Sequence, residues 1–172
     1  MKEAPPERPS ARGLRLAIVR SLFNRPVTDG LLEGARSELA EMGAAAGRVA
    51  VFDLPGAFEL PLAARAAARS GRFDAVVALG AVIEGETDHY EHVAREAASG
   101  LAAVARETGV PVSFGVLTVR QEEQARRRAA PGPGNKGAEA ARAAVTTALA
   151  LRAIAGAGAR RSRVRRGRRK GR

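Results

Sequence analysis

Nine residues, Ala75–Ile83, read AVVALGAVI and contain no polar side chain. A half-exposed strand alternates apolar and polar residues, whereas a run that is apolar throughout must be covered on both faces. The segment therefore predicts the central strand of a parallel sheet, and the rest of the chain must supply helical layers above and below it.

The remaining sequence does this by alternation. Residues 14–20 (LRLAIVR) form a short buried strand, with Ile18 and Val19 at its centre. Thr28 and Asp29 can cap a helix carrying Leu31, Leu32, Ala35 and Leu39 and ending near Gly43. Residues 48–54 (RVAVFDL) alternate as a strand until Pro55-Gly56 stops them, and an Ala-rich helix spans 59–70. After the central strand, a helix over 89–108 keeps Val93, Ala97, Leu101 and Val104 in register. Pro111 precedes a fourth strand, 112–118 (VSFGVLT), and a short charged helix over 121–129 follows. The Pro-Gly turn at 131–134 then leads to Asn135, which can cap a last helix running to about Ile154. Strand and helix repeated four times predict an α/β protein: an open parallel four-stranded sheet with helices on both faces, a three-layer α/β/α arrangement. Ligands of such sheets sit at the carboxyl ends of the strands. That rim carries the loops 21–28, 55–59, 84–89 and 118–121.

One domain, 14–156, accounts for this pattern. Residues 1–13 are polar, carry Pro5, Pro6 and Pro9, lack the apolar core of a secretory signal, and read as a disordered arm. No apolar run of about 18 residues is expected to span a membrane, so the chain reads as soluble and cytoplasmic. It has no Cys, which excludes disulfides and thiolate metal sites. The net charge of +11 is concentrated at one end. Residues 160–172 hold nine Lys or Arg and no acid, leaving 20 basic against 18 acidic residues elsewhere. Residues 157–172 therefore read as a disordered Arg-rich tail, and arguments from basicity concern this tail.

Chemistry concentrates in the loops of the carboxyl rim. In 80–90, GAVIEGETDHY, a central strand stops, Gly85 permits close backbone approach, and polar residues open a helix. Free N–H groups at a helix start favour an anion such as phosphate. His89 sits in that first turn, where an imidazole can exchange a proton near neutral pH. Spacing alone favours a capped loop bearing a surface His. In 55–61, PGAFELP, Glu59 can accept hydrogen bonds from ligand hydroxyls or simply favour the positive end of a helix. Phe23-Asn24 ends the first strand, where an aromatic ring can stack on a planar ligand or fill the core. Arg126, Arg127, Arg128 and Lys136 flank the Pro-Gly turn, and a guanidinium suits phosphate through paired donors. Adjacent arginines on a helix diverge, so at most one or two of them serve one site, and a solvated face is the alternative. Gly132-x-Gly134-x-x-Gly137 copies the dinucleotide fingerprint but follows a helix, which removes its meaning. His89 and His92 have no third His or Cys to complete a metal site.

Taken in order, Phe23-Asn24, Gly56-Ala-Phe-Glu59-Leu-Pro61, Gly80-Ala-Val-Ile83, Gly85-Glu-Thr-Asp-His89-Tyr90, Pro111-Val-Ser-Phe114-Gly-Val-Leu-Thr118, Glu123-Gln-Ala125 and Gly134-Asn-Lys136-Gly137 resemble the lumazine synthases over about residues 14–155. No single piece is decisive; the ordered set is specific. The resemblance implies a flavodoxin-like sheet and an enzyme of riboflavin biosynthesis. Such an enzyme condenses 5-amino-6-(D-ribitylamino)uracil with 3,4-dihydroxy-2-butanone 4-phosphate to 6,7-dimethyl-8-ribityllumazine, phosphate and water. It further implies that Phe23 stacks on the pyrimidine, while Asn24, Gly56, Ala57, Phe58 and Glu59 hold the ribityl chain. Val82 and Ile83 would line the ring pocket, Gly85, Glu86, Thr87 and Arg128 would hold the phosphate, and His89 would shuttle protons. Phe114 would border the site from a neighbouring subunit, and Lys136 would add charge beside the phosphate. No metal or organic cofactor is implied. The family implies homopentamers, some built into sixty-subunit icosahedral shells, with active sites between subunits. Glu84 departs from the pattern, standing where many relatives carry a basic residue, and Pro131-Gly-Pro133 replaces a Thr-Lys-Ala type of turn. Two other readings are a paralogue that binds flavins or lumazines without catalysis, and a shell protein whose basic tail binds polyanionic cargo.

Overall fold

The computed structural model describes residues 8–169, with side chains described as far as Ala157. Four strands, β1 (Leu16–Ser21), β2 (Val49–Leu54), β3 (Ala75–Ile83) and β4 (Val112–Val119), alternate with α1 (Arg25–Glu41), α2 (Leu60–Arg69), α3 (His89–Thr108) and α4 (Glu122–Ala129). A fifth helix, α5 (Lys136–Arg169), closes the chain. All strand pairs are parallel, in the order β2-β1-β3-β4. The expected three-layer α/β sheet is thus the observed one.

Burial follows from this order. The two central strands, β1 and β3, are buried along nearly their whole length, as the apolar run at 75–83 requires. On β1, Leu16 and Ile18 point into a layer with Leu31, Leu39 and Val145, contributed by α1 and α5. Ala17 and Val19 point the other way, toward Leu60, Ala64 and Leu101 of α2 and α3. Each fully buried Leu or Ile here stabilises the fold by about 1.5–3 kcal/mol relative to exposure.

Several boundaries differ from the sequence reading. The first helix begins at Arg25 rather than after Thr28-Asp29. Asn24, in the left-handed region at φ 57°, turns the chain, and Pro26 is tolerated because first-turn N–H groups have no intrahelical acceptor. Thr28 is consequently buried inside the helix. The expected disordered arm also begins to dock before residue 14. Ala11 is fully buried and its N–H donates to Met42 O at 2.8 Å, while Arg8 pairs with Glu38 and Glu41. The rest of that arm, residues 1–7, lies outside the described residues. At the other end, α5 runs past Ile154 to Arg169, through most of the segment expected to be disordered; residues 170–172 lie outside the described residues. Within α5, Lys136–Ala157 is long and apolar enough to cross a membrane, contrary to the expectation of no such run. Ala140, Ala141, Ala144, Val145 and Ala148 of this stretch instead form core against the sheet and α1.

The helix layers also position the functional rim. The chain leaves β1 for α1 on one face and leaves β3 for α3 on the other. Neighbouring loops that diverge in this way open a crevice at the carboxyl ends of the strands.

Candidate active site

The crevice is a cleft of about 600 Å³. Three βα loops build it. Phe23 comes from the first, Gly56 to Glu59 from the second, and Gly85, Thr87 and His89 from the third; the end of β3 supplies Ala81, Val82 and Ile83 as its floor. The walls are mostly apolar, and the polar groups are few and convergent, as in small-molecule sites.

Each wall has a local cause. After β1, the N–H groups of Leu22 and Phe23 donate to Leu54 O and Pro55 O, so the loop continues the sheet pairing with β2. Asn24 then donates its side-chain amide to Ala81 O at 2.9 Å, tying the loop to β3. Held at both ends, the loop leaves Phe23 with 68% of its surface exposed, a ring offered to solvent with no core to fill. In the second loop, a Cβ at Gly56 would come 3.0 Å from Glu59 Oε2, so the missing side chain gives this carboxylate its room. Glu59 stands just before α2, with Pro61 in the first turn. In the third loop, α3 starts at His89 with no side-chain cap on its first turn. The positive end of a helix of twenty residues therefore opens toward the cleft. Gly100 lets α3 lie close to α2, because a Cβ there would come 2.8 Å from Pro61.

A buried charge supports the first wall. Arg20, near the end of β1, is only 6% exposed. Its guanidinium forks onto Asp53 of β2, with Nε–Oδ1 at 2.8 Å and Nη2–Oδ2 at 2.9 Å, and also reaches Asp29 of α1. The hydrogen bonds from Arg20 hold the Asp53 carboxyl below its usual range, and Asp53 in turn raises Arg20 above its own. Arg20 is not among the residues that the sequence motifs single out. Its signal was a lone charge in an apolar strand, which must find a partner once buried.

Ten of the fifteen residues singled out in the sequence line this cleft: Phe23, Gly56, Ala57, Phe58, Glu59, Val82, Ile83, Gly85, Thr87 and His89. Tyr90, His92 and Val93 of α3 line it as well and were not proposed for it. They follow His89 into the first turns of α3, so the helix phase was the available signal. His92 Nδ1 lies 3.2 Å from Arg95 Nη2. Asn24 and Glu86 are not among the lining residues, and the Asn24 amide is already engaged with Ala81.

Phe114, Arg128 and Lys136 lie elsewhere. They line a second concavity of about 400 Å³ along β4, the edge strand, between it and α4 and α5. It shares no residue with the first cleft. Phe114 is 46% exposed there. Arg128 Nη1 donates to Gln124 O at 3.1 Å, and Lys136 Nζ lies 2.7 Å from Glu139. Asn135 holds this region in place: its amide donates to Ala129 O at 2.8 Å, and its Oδ1 accepts from Gly137 N and Ala138 N as the cap of α5. Glu84, the acidic departure beside the third loop, is answered by Arg120 at 3.6 Å.

The sequence profile of the family described as 6,7-dimethyl-8-ribityllumazine synthase matches residues 13–152. The chain belongs to this family. A 6,7-dimethyl-8-ribityllumazine synthase of Anaeromyxobacter dehalogenans (strain 2CP-C) is 53% identical over 150 residues, covering 87% of this chain and 93% of the relative. One of Anaeromyxobacter sp. (strain K) matches to the same extent. The match to the lumazine synthase profile ends at residue 152, before the Arg-rich segment at 160–172.

Proposed function

We propose that this chain is a lumazine synthase of riboflavin biosynthesis, joining 5-amino-6-(D-ribitylamino)uracil to 3,4-dihydroxy-2-butanone 4-phosphate. The observation that carries the reading is one cleft lined by an exposed aromatic ring, a carboxylate and an imidazole from three separate loops, in a chain of this family. Phe23 stacks on the pyrimidine. The turn Gly56, Ala57, Phe58 holds the ribityl chain and Glu59 accepts from its hydroxyls, while Asn24, bonded to Ala81, fixes the neighbouring loop. Val82 and Ile83 pack against the ring. Gly85, Glu86 and Thr87, at the uncapped start of α3, meet the phosphate together with Arg128, and Lys136 adds charge nearby.

In the reaction, the 5-amino group attacks the ketone carbonyl and a first water leaves as the imine forms. Loss of a carbon-bound proton then expels inorganic phosphate. The enol left by that elimination takes up a proton at its terminal carbon and becomes a methyl ketone; attack of the ribitylamino nitrogen on this new carbonyl closes the ring and releases a second water. Each step moves a proton, and His89 carries it. Holding two reactants in one cleft supplies the larger share, up to about 7–11 kcal/mol, while proton transfer contributes roughly 10²–10⁴-fold. The chemistry calls for neither metal nor organic cofactor, and we assign it to the cytoplasm.

The separation of Phe114, Arg128 and Lys136 from the cleft supports active sites shared between subunits, with the β4 edge of one chain completing the Phe23 cleft of its neighbour. We propose a homopentamer; light scattering distinguishes it from a sixty-subunit shell. Mixing the purified protein with both substrates should produce lumazine absorbance and fluorescence. Absence of product, with His89→Ala indistinguishable from the native chain, would leave a flavin- or lumazine-binding paralogue instead. A second reading concerns the tail. Nine cations and no acid over 160–172 favour salt-sensitive polyanion binding without sequence preference.

A further inference from the structure

Among the described residues, Arg20 is the only buried cation, and the reaction proposed above does not use it. Its partners do not need it. The Asp29 and Asp53 side chains are 50% and 43% exposed, so water can solvate both carboxylates without help. The guanidinium alone carries the cost of desolvation, and a buried ion pair is weak evidence for stability. What the arrangement fixes is direction. Nε and Nη2 donate to Asp53 and Nη1 donates to Asp29, so the planar fork is held at three nitrogens and cannot swing.

These bonds brace both flanks of the loop that presents Phe23. The loop leaves β1 at Ser21 and enters α1 at Arg25. On the α1 flank, Asp29 lies in the second turn, where Arg25 also pairs with it at 3.4 Å. The Val27 and Thr28 N–H groups donate to Asn24 O at 2.9 and 3.1 Å, which joins the end of the loop to that helix. On the β2 flank, Asp53 is followed by Leu54 and Pro55, whose carbonyls accept from the Leu22 and Phe23 N–H groups at 2.8 and 3.1 Å. The next residues, Gly56 to Glu59, are the second wall of the cleft. One guanidinium thus sets the Phe23 ring against the Glu59 turn. Its side-chain bonds go to β2 and α1, and none goes to the third loop.

We propose that Arg20 is a positioning residue for the ribitylaminopyrimidine substrate: it acts through Phe23, holds that ring at a set distance from the second wall, and leaves the phosphate end of the site untouched. The inference rests on the lumazine synthase reading and adds to it a residue outside the cleft. Two walls that serve one substrate share one brace, so loosening the brace costs affinity for that substrate alone.

The test is fluorescence titration of the full chain with 6,7-dimethyl-8-ribityllumazine, the product that keeps the ring and the ribityl chain. It is run beside the KM for 3,4-dihydroxy-2-butanone 4-phosphate. Arg20→Met keeps an apolar stem and removes the fork. It should raise the lumazine Kd about 10-fold and leave the KM of the phosphate substrate within about 2-fold of native. Arg20→Lys keeps the charge without paired donors and should fall between Arg20→Met and the native chain. In a Phe23→Ala background, Arg20→Met should weaken lumazine binding by less than about 3-fold more, because the ring it aims is gone. An unchanged Kd, an equal rise in both constants, or a loss of about 10-fold that persists without the Phe23 ring would each overturn the role. Should Arg20→Met fail to fold, Asp53→Asn leaves Arg20 bonded to Asp29 and carries the same comparison, with an expected loss of about 3-fold. A native chain that neither binds the lumazine nor forms it overturns the lumazine synthase reading, and this role with it, before any substitution is made.

Discussion

Arg20 and Asp53 face each other in register across β1 and β2, joined by two hydrogen bonds beneath the loop that presents Phe23. The pair makes the acid stability of this protein predictable. Hydrogen bonding from Arg20, the largest effect, lowers the folded-state pKa of Asp53 below its reference of 3.8. A carboxylate depressed on folding contributes stability that is present above its unfolded pKa and is lost as pH falls through the folded one. Asp53→Asn should therefore cost about 1 kcal/mol at neutral pH, a modest figure because the Asp53 side chain is 43% exposed and screened by solvent. Urea midpoints should show that difference constant above about pH 5 and shrinking below about pH 4. A difference that persists undiminished at pH 2.5 would remove the pair as its source.

Packing around α5 gives a sharper contrast. A Cβ at Gly137 would lie 1.9 Å from Leu31 O, a backbone atom of α1 that cannot swing away. Three residues earlier, a Cβ at Gly134 would meet nothing within 4 Å. Gly137→Ala should destabilise by about 3 kcal/mol or more, because α5 must move off α1. Gly134→Ala should stay within about 0.5 kcal/mol of the native chain. Thermal unfolding of the two variants side by side checks this, and equal effects would mean that α5 tolerates displacement.

These cases mark what the sequence discloses. The apolar run at 75–83 announces β3 to the residue, because a strand covered on both faces leaves no freedom in its pattern. Asn135 is legible as a cap, since Asn at a helix start accepts N–H groups. That its amide also holds the Gly30 carbonyl depends on α1, over a hundred residues away in sequence, and local pattern carries no trace of it. The early start of α1 was hidden for a similar reason. Asn24 makes its turn with a left-handed backbone and a bond to Ala81, not with the side-chain cap that the Thr28-Asp29 reading anticipated. The cleft itself was legible through ordered motifs. Its division from the β4 concavity was implied by the family resemblance, which set Phe114 on a neighbouring subunit; local pattern carries no trace of it, because sheet order is what puts Phe114 on an edge.

Catalysis offers a direct measure of His89. It lines the cleft at the start of α3, and its imidazole is exposed enough to reach a bound substrate. If His89 carries protons in the reaction, replacing it with Ala removes that carrier and leaves the Phe23, Glu59 and β3 walls intact. Steady-state kinetics of His89→Ala should show kcat reduced by roughly 10²-fold, with KM for either substrate changed far less. A large KM change at native kcat would make His89 a binding residue only.

The two separate half-sites allow a decisive test of shared active sites. If Arg128 serves the cleft of a neighbouring chain, Arg128→Ala should raise KM for the phosphate-bearing substrate and leave that for the pyrimidine nearly unchanged. His89→Ala disables the other half of the site. In oligomers assembled randomly from equal amounts of the two variants, a site is intact when its cleft comes from the Arg128→Ala chain and its β4 edge from the His89→Ala chain. About a quarter of the sites meet both conditions. Co-expressed variants should therefore recover about a quarter of native activity at low concentration of the phosphate substrate, well above either parent oligomer. Activity equal to the mean of the two parents would show that each chain completes its own site and that the β4 concavity serves another purpose.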